Sequence, residues 1–272
     1  MAKDQPNREI GDSTSSNEGI FDVYGRSVPN QSHLQANPKS RRYFTFSQPD
    51  IDYRSILART QKHLNFECNI TIDEFETRAD KILSELENDP VTRNITDGVC
   101  VPFFLPNEPG SDIGHTLENR YLPAVDSAFV ETFPNYEFVN HSATQLAGRL
   151  SVVKESRHDR LMKQMQREVT VGYFFPCLTE YSIPAAIAQT QVLPEQFLLA
   201  GGFDICSVFI GCPDLLSGVN GYPPLIWMSG LRDKQHKNCY HFEAYGHNLT
   251  FNRRPHLDKT AEYWSSGLTI LG

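Results

Sequence analysis

Cys239-Tyr240-His241-Phe242-Glu243-Ala244-Tyr245-Gly246-His247-Asn248-Leu249-Thr250-Phe251 alternates in residue type and then breaks at a glycine. Successive side chains of a strand point to opposite faces, so His241, Glu243 and Tyr245 share one surface and Tyr240, Phe242 and Ala244 the other. Gly246 offers a turn, with His247 at its edge, and the stretch reads as a hairpin over residues 240–252. Upstream of it the texture is strand-like from residue 169: Val169–Pro176 is an apolar run, Leu225–Met228 is another, and Leu268–Leu271 closes the chain.

The first half reads differently. Ser47, with Pro49 and Asp50 behind it, has the form of a helix start running to about Leu64. Thr71 and Glu74 make a capping box ahead of Ile72, Phe75, Ala79, Ile82, Leu83 and Leu86, which recur at helical spacing. Gly98–Leu105 is a buried strand in which Pro102 implies an edge position or a bulge. Pro123 suits the first turn of a helix to about Glu131, Tyr136–Val139 a short strand, and residues 143–168 a mostly helical stretch. Ser182 and Pro184 open another helix. The segment from Gly201-Gly202 to Ile210 fits either a buried helix or a strand. Helices gather early and strands late, without βαβ alternation. The expected class is therefore α+β: a single domain over 41–272 with an N-terminal helical half and a mixed or antiparallel sheet mainly in the C-terminal half, covered on one face. Residues 1–40, rich in Asn, Ser, Gln, Asp and Pro, read as a disordered polar tail with one apolar island, Ile20 to Tyr24.

The chain has 272 residues, 39% hydrophobic, and a formal net charge of −8. An acidic surface with no basic cluster argues against nucleic acid as a partner. No apolar run is long enough to span a membrane. The N-terminus lacks the apolar core of a secretory signal, so a cytoplasmic protein is expected. Six cysteines are widely spaced with no Cys-x-x-Cys, a pattern of free buried thiols.

Phosphate-binding glycine loops, His-Glu-x-x-His and Gly-x-Ser-x-Gly are all absent from the sequence. The leading candidate site is the face that carries Glu243, His241 and Tyr245. A carboxylate beside an imidazole can share a hydrogen-bonded network, burial would raise the glutamate toward a general acid or base, and the phenol could orient a carbonyl or amine. The competing reading is the polar outer face of an antiparallel sheet. His247 is an accessory group, or a cap of the hairpin. His241, Glu243 and His247 have zinc or iron(II) chemistry, but only two of them share a strand face, so neither metal nor cofactor is expected. Asp204, in apolar surroundings, is a second carboxylate, or an acid at a helix N-terminus. Glu180 follows a strand end, with Tyr173 inside that strand. Arg120 suits an acidic substrate or an ion pair, and Trp227 an aromatic pocket or the core.

The function expected from these residues is a cofactor-independent enzyme of small-molecule metabolism. Its acid/base chemistry would serve a condensation, cyclisation or isomerisation, for example a Pictet–Spengler-type ring closure. Glu243 would be the acid or base, His241 its partner and Tyr245 a donor. Asp204, Glu180, Tyr173, Arg120, His247 and Trp227 would contact substrate. The alternative is a non-catalytic small-molecule-binding or scaffold protein. A homo-oligomer is left open.

Overall fold

The α+β architecture is built around one helix that carries no polar face. In the computed structural model, which describes residues 19–30, 35–37, 43–67, 70–108, 110, 112–217, 222–235 and 237–272, the ambiguous segment after Gly201 is a helix, Gly202–Gly211, and all ten of its residues are buried. In chain order the helices are α1 Tyr53–Leu64, α2 Ile72–Asn88, α3 Ile113–Thr116, α4 Leu122–Thr132, α5 Asp159–Met165, α6 Ile183–Val192 and α7 Gly202–Gly211. A π-turn, Leu117–Tyr121, joins α3 to α4.

The strands are β1 Val101–Leu105, β2 Phe138–Asn140, β3 Leu150–Val152, β4 Thr170–Thr179, β5 Leu198–Leu199, β6 Leu225–Trp227, β7 Leu231–Asp233, β8 Cys239–Tyr245, β9 Asn248–Arg254 and β10 Trp264–Leu271. Eight of them form one mixed sheet in the order β1-β4-β10-β6-β8-β9-β2, with β5 also on β10. The pairings β10–β6 and β9–β2 are parallel and the remainder of the path is antiparallel. Pro102 lies in β1, at the edge of the sheet, where its missing N–H costs no ladder bond. β3 and β7 form a separate antiparallel pair.

Both faces of the large sheet are packed, not one. On the first, α7 sets Phe209 against Phe242 of β8, ring centroids 4.6 Å apart. Its Asp204 accepts from the Thr269 hydroxyl of β10 at 2.8 Å. On the opposite face, Trp227 and Trp264 meet edge-on at 4.9 Å over Ile183 of α6, and Tyr173 of β4 hydrogen-bonds Tyr53 of α1 at 2.7 Å.

Local chemistry explains where elements begin. Thr71 accepts from the Glu74 N–H and caps α2 as its sequence promises. α1 starts later than Ser47 because Asp52 is the residue whose carboxylate receives the Arg54 N–H. Gln48 instead makes paired bonds to the Cys100 backbone and keeps the preceding chain extended. Residues 143–168 are not mainly helical. Gly148 and Arg157 adopt φ of +71° and +58°, which interrupts a helix on either side of β3, and only α5 and a single 3₁₀ turn, Lys154–Ser156, form.

The polar tail also departs from expectation where it is described. Residues 19–30 pack on the domain: Phe21 is 1% exposed and lies 5.5 Å from Phe197. Ser27 N–H donates to the Cys177 carbonyl, the Ser27 carbonyl accepts from Tyr181, and Gln189 donates to the Val28 carbonyl. The remainder of 1–40, apart from 35–37, lies outside the described residues. The five described cysteines are free and buried, and Cys68 lies outside the described residues. Among the described residues no helix is long and apolar enough to cross a membrane.

Removing the anchor of this segment tests its weight. Phe21→Ala should lower the unfolding free energy in urea by roughly 3–5 kcal/mol, the cost of truncating a buried phenylalanine. An unchanged midpoint would show that residues 19–30 add nothing to the fold.

Candidate functional site

The hairpin forms in the register that a two-residue loop dictates. Tyr245 pairs with Asn248, and Gly246 takes φ +64° between them. Counting back, Glu243 faces Thr250, His241 faces Asn252 and Cys239 faces Arg254. Arg254 therefore projects from the same sheet face as Glu243 and His241, and its long side chain reaches across to both. Its Nη2 donates to Glu243 Oε2 at 2.8 Å and its Nη1 to the Tyr263 hydroxyl at 3.0 Å. Arg254 Nε and Glu243 Oε2 stand 3.4 Å and 3.5 Å from His241 Nε2.

This network differs from the expected acid/base face in three respects. Burial does push the Glu243 carboxyl up, but its hydrogen bond with His241 and the Arg254 guanidinium outweigh burial and hold it below the usual glutamate value near 4.5. Glu243 is thus a carboxylate at neutral pH, with no raised value to make it a general acid. His241 has no exposed surface and packs edge-on against Trp227 at 4.7 Å. Burial pushes its imidazole below the ordinary value, against the pull of Glu243, so it is neutral at pH 7. Tyr245, at the hairpin tip, is 77% exposed and leaves the network.

Glu243 is 23% exposed at its side chain, and the surface it retains opens into a cleft of about 860 Å³. The walls are mostly apolar: Phe129 and Phe133 from α4 and its C-terminal end, Leu216 beyond α7, Leu225 of β6, and Phe44, Tyr222 and Tyr263 from neighbouring segments. His247 and Tyr136 close one side, their rings stacked at 4.9 Å. His247 is thereby turned away from His241, and among the described residues no three His, Cys, Asp or Glu side chains gather as a metal-ligand set. A second cavity, of about 270 Å³, lies between residues 24–26 and β4.

The other nominated residues lie apart from the cleft. Asp204 is wholly buried at the start of α7, where it accepts from the Gly201 N–H at 3.0 Å and from Thr269. That is the helix N-terminal role, and neither cavity touches it. Glu180 is buried with φ +61°. Its carboxylate accepts from the Asn37 side-chain amide at 2.5 Å, and its carbonyl from the Asn37 N–H and the Thr260 hydroxyl. It fastens an N-terminal segment and does not meet Tyr173, whose hydroxyl is occupied by Tyr53 and whose phenol burial pushes up. Arg120 is ion-paired to Glu108 and donates to the Leu64 carbonyl. Trp227 is core packing beneath His241. Sequence reading missed Arg254 and the α4 wall. The first was available from the two-residue loop, whose register puts Arg254 on the Glu243 face; the second required the tertiary fold.

No family model, curated protein or solved structure matches this chain.

The ion pair makes a signed prediction. Replacing Arg254 with Met leaves burial opposed only by His241, so the Glu243 carboxyl should titrate higher than in the wild type when followed by carbon-detected NMR. In the wild type, the folded value lies below the unfolded one. The linked stability is therefore complete above pH 4.5 and is lost as pH falls through the folded value. The variant should lose less of its stability over that acid range. Identical titrations in the two proteins would remove Arg254 from the account.

Proposed function

We propose that this protein binds a small, partly apolar molecule in the cleft, with the Glu243 carboxylate as its polar anchor. The observation that carries the reading is the placement of one ionised, partly buried carboxylate in the wall of an otherwise largely aromatic and aliphatic cavity. Its volume falls in the range of small-molecule sites, roughly 300–1,000 Å³, which combine apolar walls with a few placed polar groups. An N–H donor on the ligand would meet the free lone pairs of Glu243, while Arg254 fixes the carboxylate from behind and keeps it charged.

Cofactor-independent acid/base catalysis is the second reading, favoured by the 3.5 Å approach of His241 to Glu243. In that case Glu243, ionised before the substrate arrives, is the base. His241, with no exposed surface, is a positioning residue that cannot itself touch substrate. A condensation, cyclisation or isomerisation begun by proton removal from an aromatic amine would use this arrangement.

Both readings require occupancy of the cleft. Phenethylamine should raise the thermal midpoint of the wild type in a dose-dependent way. Glu243→Gln, which keeps the shape and removes the charge, should weaken its binding roughly tenfold, the loss expected for a hydrogen bond to a charged group. Leu216→Trp, which fills the cavity, should abolish it. Equal binding by the wild type and the Leu216→Trp variant would place the ligand elsewhere and refute the proposal.

A further inference from the structure

One strand edge opens into this cleft, and the reason is a proline. β6 and β8 pair antiparallel with Ile226 opposite Phe242 and Trp227 opposite His241. The same register, extended by two residues, sets Pro224 opposite Ala244. The Met228 N–H donates to the Tyr240 carbonyl at 2.9 Å, so the peptide groups of Tyr240 and, by the two-residue repeat, of Phe242 and Ala244 point toward β6. On the far side, the Leu249 N–H donates to the Glu137 carbonyl and not back to its neighbour Ala244. The Ala244 N–H and C=O therefore both aim away from β9. Pro224 has no N–H to offer the Ala244 carbonyl, and the chain there does not accept the Ala244 N–H either: β6 begins at Leu225. Ala244 itself lines the cleft, next to Glu243.

We propose that the ligand of this cleft carries one extended residue between two amides and completes the β8 edge at Ala244, that residue's carbonyl accepting from the Ala244 N–H and its N–H donating to the Ala244 carbonyl. This rests on the small-molecule reading above and specifies its ligand class: acylated amino-acid amides and short peptide-like molecules with an aromatic side chain. An unpaired donor and acceptor side by side at a sheet edge make the two-bond template used when a peptide adds to a strand. Here the template is one residue long, because Gly246 turns the chain immediately beyond Tyr245. That length suits a single extended residue between two amides better than a long peptide. The aromatic walls on either side of the edge receive its side chain, and the Glu243 carboxylate can accept a further N–H.

The test uses the full chain with two probes. One is N-acetylphenylalaninamide. The other is O-acetyl-3-phenyllactamide, in which an ester oxygen replaces the acyl N–H. The first should bind about tenfold more tightly than the second, the effect of losing one hydrogen bond and leaving the Ala244 carbonyl facing a lone pair. Hydrogen exchange of the Ala244 amide in the wild type should slow on saturation with the first probe. Ala244→Pro deletes the cleft-facing N–H without touching a β9 bond, and should weaken the first probe about tenfold. If the variant does not fold, the exchange measurement on the wild type decides. Equal binding of the two probes, or unchanged exchange at Ala244 under saturation, overturns the inference. If phenethylamine still binds in a Leu216-dependent manner, the cleft reading survives that result. If neither phenethylamine nor N-acetylphenylalaninamide binds, both readings fall.

Discussion

The buried carboxylate of Asp204 holds the centre of this structure together. A helix whose ten residues are all buried cannot satisfy its N-terminal N–H groups with water, and a carboxyl group with no exposure needs protein donors in place of water. Each problem is the other's solution. Asp204 receives the Gly201 N–H at the start of α7 and the Thr269 hydroxyl from β10, so the helix is docked on the sheet by the interaction that satisfies it. The glycine pair allows the approach: a Cβ on Gly201 would lie 2.4 Å from His158 Nε2, and one on Gly202 2.6 Å from a Leu117 methyl. At the other end of α7, Phe209 meets Phe242, and that contact determines which face of the hairpin is turned inward.

From that choice the site follows. With Phe242 committed to α7, His241 and Glu243 must lie on the opposite face, under Trp227 and beside Tyr263. The same strand then passes from buried to open along its length. His241 is buried against Trp227, Glu243 is partly covered, and Tyr245 stands in solvent. The gradient arises because β6 begins only at Leu225, after two prolines, so β8 loses its neighbour just beyond Glu243. Of this strand, Glu243 and Ala244 line the cleft, while the His241 imidazole is buried behind the carboxylate and the Tyr245 phenol stands in solvent.

Much of the secondary structure was legible. Thr71 and Ser182 start helices with local caps, whereas Pro123 lies inside a helical run that already begins at Ile113, and the alternation at 239–251 with its glycine encodes the hairpin and, through its register, the partner residues. The misplacements share a cause. The 143–168 segment has helix-forming composition, but Leu150–Val152 finds a strand partner in β7, distant in sequence, and two residues with positive φ flank it. Ile20 to Tyr24 is too small an apolar island to order itself in isolation. Phe21 is ordered by Phe197, some 170 residues away in the chain.

The sequence alone determined the α+β class, the two faces of β8, and the grouping of His241 with Glu243, because period-2 geometry and turn chemistry are local and act the same in any context. Only the tertiary structure decided that Glu243 is held ionised, that Asp204 is a helix-anchoring acid, that Arg120 and Glu180 serve ion pairing and chain docking, and that a cleft exists beside Ala244. Each of those depends on burial and on partners from distant segments. Burial is a property of how the segments pack together, and no single segment of the chain encodes it.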